Sequence, residues 1–162
     1  MRFWFFIRSI IEVILKACPP TYSCKDSALN SLSRRDHGQY ELSQKLLAKG
    51  FSDAEVKEAI NYCLERGYLD EFRYIQSQIR QHISKGHGER RIRQTLMQKR
   101  ACSDLIDQGL EEQNQDWFEL AKTVAQRKFK LIPAPDQKER AKQIRFLQYR
   151  GFTFEQITYA LG

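Results

Sequence analysis

The feature that most constrains the fold is an internal repeat, because from residue 26 onward the sequence matches itself at a period of about fifty residues. A shift of fifty aligns His37 with His87, Leu42 with Ile92, Gln44 with Gln94, Leu46 with Leu96 and Ile60 with Leu110. A shift of 101 aligns Leu46 with Leu147, Gly50 with Gly151, Phe51 with Phe152 and Ile60 with Leu161. Repeats of this length indicate stacked supersecondary units, and three copies are visible.

Each copy contains a turn at which one helix is predicted to end and the next to begin. In the first copy, Gly50 can take the left-handed conformation that closes a helix, and Ser52 with Glu55 forms a capping box. The third copy has the same residue types at positions 150–153, followed by Gln156. The middle copy, 100–103, lacks both the glycine and the box. We therefore predict that its turn is the least regular.

The apolar spacing between the turns is helical, as in the stripe formed by Phe72, Ile75 and Ile79. The pattern predicts an all-α chain with nine helices at about 26–35, 38–49, 53–66, 70–84, 89–99, 103–113, 116–129, 136–149 and 153–161. We group them into three tandem three-helix repeats at 26–67, 68–114 and 115–162. Such repeats stack into an elongated, curved array, here with its main bends at 86–88 and 132–135.

Residues 1–25 form an apolar N-terminal extension that we predict to lie outside the fold, since Pro19 and Pro20 separate it from the repeats. The stretch 3–15 contains Arg8 and Glu12 and is shorter than the roughly 20 residues that a membrane span requires. Three interpretations stay open for it: a wrongly assigned start, a loose extension, or a weak targeting or membrane-attachment segment.

The charge of the chain indicates a partner that carries negative charge. The formal net charge is +7 and the pI is about 9.3, which suits nucleic acid, an anionic membrane surface or an acidic protein face. The four cysteines form no CxxC pair and have no histidine at a metal-ligand spacing. This usage argues against a zinc site or a disulfide framework and suits a reducing cytoplasm.

The positive charge is concentrated in two stretches of the chain. Residues 73–100 and 120–150 each carry a local balance of +7, whereas 103–119 hold six acidic residues and no lysine or arginine. Equivalent helices of a repeat array lie on equivalent sides, so this alternation predicts a basic stripe that suits a long polyanion. The alternative is that these charges lie on solvated helix faces and serve only solubility. Aromatic residues in these stretches are expected to pack, with Tyr149 the foremost candidate for stacking on a base.

Residues that would perform chemistry are missing from the sequence. No histidine lies at metal-ligand spacing, and the glycines at 86 and 88 lack the Gly-Lys-Ser/Thr end of a phosphate loop. No pocket pattern accompanies the carboxylates, so a paired general acid and base is not indicated. We predict a protein that is not an enzyme and needs neither a cofactor nor a metal.

Two segments, 67–75 (GYLDEFRYI) and 84–94 (SKGHGERRIRQ), resemble the signature of the RecX family of recombination regulators. Further similarity, at Arg35–His37, at Asp116 with Trp117, and at 144–152, extends the resemblance from about residue 26 to the C-terminus. The chain departs from the family pattern at His87, where an aromatic residue is usual, at Glu89, where proline is common, and at Arg100, where the middle-turn glycine is expected.

The resemblance implies a cytoplasmic, monomeric regulator that binds the RecA recombinase and its filament on single-stranded DNA. Such a protein limits strand exchange, ATP hydrolysis and repressor cleavage, and so acts in recombination, DNA repair and the SOS response. The residues predicted to contact the partner or DNA are Arg73, Arg80, Lys85, Arg90, Arg91, Arg93, Arg127, Lys128, Arg145 and Arg150. The alternative is a basic helical protein that binds DNA, single- or double-stranded, on its own.

Overall fold

The computed structural model describes residues 22–130, 132 and 136–162, and the regular secondary structure within these residues is all α-helix. The described residues form nine helices, which are α1 (Cys24–Leu32), α2 (Gln39–Leu47), α3 (Asp53–Glu65), α4 (Glu71–Ser84), α5 (Glu89–Gln98), α6 (Ser103–Gln113), α7 (Trp117–Lys128), α8 (Gln137–Arg150) and α9 (Phe154–Leu161). The predicted all-α tandem repeat is confirmed. The chain separates into two compact units, one extending to Glu71 and one spanning Phe72–Gly162.

The glycine turns and capping boxes form as the sequence predicts in the first and third copies. Gly50 and Gly151 take left-handed φ values of 92° and 91°. The Ser52 hydroxyl accepts a hydrogen bond from the backbone N–H of Glu55, whose carboxylate accepts one from the backbone N–H of Ser52 at 2.8 Å. Thr153 and Gln156 make the same pair of hydrogen bonds.

The middle turn has the same backbone conformation without the residues that favour it. Arg100 occupies the glycine position with a left-handed φ of 58°, and Cys102 at the start of α6 makes no side-chain capping hydrogen bond. The absence of the side-chain cap agrees with the sequence, whereas the backbone of the turn is more regular than expected. Helix packing on both sides therefore imposes this turn on an unfavourable sequence.

The first helix begins two residues earlier than the sequence pattern predicts. Ser23 is its N-cap, and its hydroxyl accepts a hydrogen bond from the backbone N–H of Asp26 at 3.1 Å. The predicted apolar extension therefore overlaps the fold at its last residues, while its first 21 residues lie outside the part of the chain that is described. The predicted bend at 132–135 also falls largely outside it, because 133–135 are not described.

Apolar side chains from each repeat form a separate core cluster. Leu42, Leu46 and Ile60 lie fully buried or nearly so in the first unit. The second unit contains two clusters, one around Ile75 and Ile79 and one formed by α7, α8 and α9. This packing holds the end of α4 and the end of α8 in fixed positions, where the predicted basic residues gather.

Candidate functional site

The turn between α4 and α5 packs directly against the turn that follows α8. The backbone N–H of Gly88 donates a hydrogen bond of 2.8 Å to the carbonyl oxygen of Arg150. The Arg150 guanidinium in turn donates from Nη1 to the carbonyl oxygen of Lys85 at 2.5 Å. A Cβ atom added at Gly88 would lie 2.5 Å from the carbonyl oxygen of Gly151, so glycine is needed for this approach. We call this contact the glycine junction.

A small hollow lined by positively charged side chains lies next to the glycine junction. It has a volume of about 210 Å³. The residues that line it are Ser84, Lys85, Gly86, Val124, Arg127, Lys128, Phe146 and Arg150. No carboxylate is among these lining residues, so four cationic side chains share the space without an acidic neighbour there. We call this hollow the cationic cavity.

An aromatic ring supports two of the cations in the cationic cavity. The Arg150 guanidinium carbon lies 5.1 Å from the centre of the Phe146 ring, and Lys128 Nζ lies 5.9 Å from it. Phe146 is itself fixed by an edge-to-face contact with Phe129, with ring centres 5.4 Å apart. Cation–π contacts of this kind restrain the cations and leave their charge uncompensated, so it remains available to an anion.

A larger cleft between α5 and the end of α8 also lies next to the glycine junction. Its volume is about 620 Å³, and its lining residues are Arg90, Arg91, Gln94, Thr95, Gln98, Gln148, Tyr149, Gly151 and Phe152. The Arg91 guanidinium carbon lies 4.6 Å from the centre of the Tyr149 ring, and Arg91 Nη1 donates to the Tyr149 carbonyl oxygen at 2.9 Å. Tyr149 is nevertheless 74% exposed. We call this hollow the tyrosine cleft.

Two histidines lie beside the junction, and burial together with the positive charge there lowers their pKa values. His82 Nδ1 and His87 Nδ1 are 2.8 Å apart, so one ring donates a hydrogen bond to the other. Burial lowers the pKa of His87 to about 4, and nearby Arg91 and Arg150 contribute to the same shift. Burial and the charge of Lys85 lower the pKa of His82 in the same direction. Both rings are therefore neutral at pH 7, and the positive charge belongs to the lysines and arginines.

The structure brings six of the ten predicted residues to the two hollows. Lys85, Arg127, Lys128 and Arg150 line the cationic cavity, and Arg90 and Arg91 line the tyrosine cleft. The predicted contacts of these side chains with a partner stay a prediction.

The remaining four predicted residues lie elsewhere. Arg73, Arg80 and Arg145 are exposed on α4 and α8 and line neither hollow. Arg93 differs from the others because its guanidinium forms ion pairs with Glu89, at 2.7 Å, and with Asp107. Its charge is thus compensated within the unit.

Sequence reasoning misses two residues of the site. The pattern assigns Phe146 to packing, yet the ring supports two cations, and its spacing of four residues from Arg150 on one helix is the available signal. The sequence marks Gly88 only as part of a bend, whereas it forms the close backbone contact with the end of α8. That contact depends on long-range packing, for which the local sequence holds no signal.

Features of two other functional classes are absent from the described residues. Among them, no group of three or more histidine, cysteine, aspartate or glutamate side chains is arranged to hold a metal ion. None of the described helices combines the length and apolar character needed to cross a membrane.

Three domain models of one family match successive parts of the chain. The first three-helix domain of RecX matches residues 24–63, the second matches 70–110 and the third matches 114–161. The matches cover all nine described helices apart from a few terminal residues.

Curated relatives and solved structures agree with these domain matches. The Regulatory protein RecX of Vibrio campbellii is 61% identical over 143 residues, covering 88% of this chain and 92% of the relative. That of Pseudomonas putida is 40% identical over 131 residues, covering 81% and 84%. The crystal structure of RecX from Lactobacillus salivarius matches the fold with a TM-score of 0.70 at 19% identity, covering 85% of this chain and 91% of that one.

Proposed function

The chain belongs to the RecX family of regulatory proteins, and from that premise we propose that it regulates the RecA recombinase. It binds the RecA filament assembled on single-stranded DNA and inhibits the recombinase, ATPase and coprotease activities of that filament. Recombination, DNA repair and the SOS response are thereby modulated. The protein acts in the cytoplasm as a monomer, without a cofactor.

The observation that carries this proposal is the pair of hollows that flank the glycine junction. Six lysine and arginine side chains line them, and no carboxylate is among the lining residues. A filament on DNA is a long polyanion, and clustered cations both attract it and orient the bound protein. Inhibition then requires only that the bound protein obstructs growth of the RecA filament or prevents the filament from closing around ATP. No catalytic step is involved.

The proposal is tested by adding the protein to RecA, ATP and single-stranded DNA while ATP hydrolysis is followed. We expect inhibition at amounts well below one protein per RecA monomer, because each bound protein obstructs a filament made of many monomers. Unchanged hydrolysis at equimolar protein would contradict the proposal.

A double variant tests whether the cationic cavity contributes to inhibition. Arg127→Ala with Lys128→Ala removes two exposed charges at the end of α7. If these charges bind the filament, the concentration that gives half-maximal inhibition rises about tenfold at physiological salt. Lys57→Ala, which removes an exposed charge from α3 in the first unit, is the matched control and should inhibit like the unaltered protein. Equal potency of all three proteins would exclude the cavity from binding.

The second candidate function is DNA binding without RecA, which the same cations favour. If this function is correct, affinity for naked DNA is high and falls steeply with salt in proportion to the phosphates neutralised. Under the main proposal, naked DNA binds less tightly than the filament. A direct comparison of the two affinities at one salt concentration therefore separates the two functions.

A further inference from the structure

Two consecutive residues at the end of α8 line different hollows. Tyr149 lines the tyrosine cleft and Arg150 lines the cationic cavity. The hydrogen bond from Gly88 to the Arg150 carbonyl and the close approach of Gly151 to Arg91 hold this stretch of backbone in place. One helix end thus contributes an aromatic ring to one hollow and a cation to the other from adjacent residues.

The Tyr149 side chain is largely exposed to solvent and contributes little to the core. The residue is 74% exposed, whereas Leu147, two positions earlier, is fully buried in the core. The Arg91 guanidinium, 4.6 Å from the ring centre, restrains the side chain and reduces the entropy lost when a ligand stacks on it. A flat aromatic surface of this kind accepts any nucleobase, because every base has a π-face.

The rest of the tyrosine cleft suits the edge of a base. Gln94, Gln98 and Gln148 line it and are all exposed. An amide side chain offers both hydrogen-bond donors and an acceptor, so it can pair with the mixed donor and acceptor pattern of a base edge. Carboxylates, which would repel a nucleotide, are not among the residues lining this cleft.

The cationic cavity suits a phosphate group. Lys85, Lys128 and Arg150 all line it, and its volume of about 210 Å³ accommodates a single tetrahedral oxyanion. Burial is the main cause of the low pKa of His87 beside the cavity, and the positive charges of Arg150 and Lys85 lower it further. An anion in the cavity would relieve this repulsion between like charges.

We propose that the end of α8 binds one nucleotide of single-stranded nucleic acid, with its base stacked on Tyr149 and its phosphate among Lys85, Lys128 and Arg150. The inference deepens the proposed function and rests on it, since the filament supplies a single strand. A duplex fits poorly because its bases are already stacked and paired. An acidic peptide would use the cations and would not need the tyrosine ring.

The test measures the affinity of the full chain for a fluorescent oligothymidylate and for a duplex of equal length by fluorescence anisotropy. Tyr149→Ala should weaken binding of the single strand about tenfold, because stacking of one base is lost. Tyr149→Phe retains the ring and should bind within about twofold of the unaltered protein. Phe154→Ala removes a ring that is 68% exposed on α9 and is the matched control, with unchanged affinity expected.

The dependence on salt tests the phosphate half of the inference. Lys128→Ala should reduce the slope of log affinity against log salt by about 0.7 for the single strand, because one phosphate contact is lost. Tyr149→Ala should leave that slope unchanged. Tyr149→Ala that binds the single strand like the unaltered protein, or that weakens single strand and duplex equally, would overturn the inference.

The same variants separate this inference from the proposed function. If the unaltered protein inhibits RecA while Tyr149→Ala binds the oligonucleotide normally, the nucleotide site is wrong and the regulatory role stands. If the oligonucleotide results are as expected and the unaltered protein fails to inhibit RecA, the regulatory role is wrong and the nucleotide site stands. Competition by polyglutamate that is equally effective with Tyr149→Ala and the unaltered protein would indicate an acidic peptide site and overturn the inference.

Discussion

The turn of the middle copy, at 100–103, and the turn of the third copy, at 150–153, have the same backbone conformation but different residues at the left-handed position. In the middle turn, Arg100 N–H donates to the Met97 carbonyl at 2.9 Å, and in the third turn Gly151 N–H donates to the Gln148 carbonyl at 2.9 Å. Both central residues are left-handed, with φ values of 58° and 91°. An arginine can therefore replace the glycine of this turn when the helices on either side are well packed.

The difference between the turns shows that the glycine at 151 has a second role. A Cβ atom added at Gly151 would lie 2.5 Å from Arg91 N and 2.5 Å from Arg91 Cβ. Arg100 already carries a Cβ atom, so the middle turn makes no comparable approach to a neighbouring backbone at that position. Glycine in the third turn therefore permits close packing of two repeats, in addition to relieving backbone strain. Four predictions test this comparison.

The largest effect is expected for Gly151→Ala. The substitution combines left-handed strain with a clash against the Arg91 backbone, so we expect the free energy of unfolding to fall by about 3 kcal/mol. Gly67→Ala is the matched control, because Gly67 has a left-handed φ of 68° and no atom within 4 Å of an added Cβ. It should cost about 1 kcal/mol. If urea denaturation shows equal losses in the free energy of unfolding for the two variants, Gly151 does not have this second role.

Acid should weaken the glycine junction. The pKa of His87 is about 4 in the fold, against 6.5 for an unperturbed histidine, so the unfolded chain binds more protons as the pH falls from about 6.5 towards 4. Stability contributed by the neutral ring is present above this window and lost within it. Allowing for solvent screening, we expect a loss of about 1 kcal/mol between pH 7 and pH 5.

The matched variant for the acid effect is His87→Phe, which keeps an aromatic ring and removes the titrating group. Its stability should change less over the same pH range, when thermal unfolding of both proteins is compared at each pH. An identical pH dependence would assign the acid effect to other groups.

Relief of strain in the middle turn should produce a smaller effect of opposite sign. Arg100→Gly places the favoured residue in the left-handed position, and we expect the free energy of unfolding to rise by about 1 kcal/mol. Urea denaturation at pH 7 measures the change. A loss of stability would mean that contacts of the Arg100 side chain outweigh the strain of its backbone.

The smallest effect is expected from a cap added to the middle turn. Cys102→Ser supplies a hydroxyl that can accept a hydrogen bond from the first turn of α6, as Thr153 does for α9. We expect a gain of about 0.5 kcal/mol in the free energy of unfolding. The reciprocal variant Thr153→Ala should lose about 1 kcal/mol. If neither substitution changes stability, side-chain capping does not distinguish the two turns.

Local patterns in the sequence predict the helices well because their signals lie within a few residues. The capping boxes at Ser52 and Thr153 mark helix starts correctly, since each depends on a partner three residues away. The pattern places the start of α1 at Asp26, although Ser23 is the cap. Both residue types favour caps, and the sequence alone does not rank one above the other.

The candidate site is only partly predictable, because it is assembled by packing between repeats. The two basic stretches of the sequence include Lys85, Lys128 and Arg150, and the structure brings these three residues to one cavity. Their approach depends on the contact between Gly88 and the end of α8, which no local period encodes. The ion pair of Arg93 with Asp107 escapes prediction for the same reason, because Asp107 belongs to another helix. Its pair with Glu89 has the local spacing of four residues on one helix.

The hydrogen bond between Gly88 and the Arg150 carbonyl has a consequence for protein engineering. Repeat proteins are commonly recombined by exchanging one module at a time, on the assumption that each module contributes a self-contained surface. Here the last two modules share a seam of backbone atoms, so a chimaera that replaces either one alone disrupts both hollows. Exchange of α4 to α9 as a single block preserves that seam and carries both hollows intact to another scaffold.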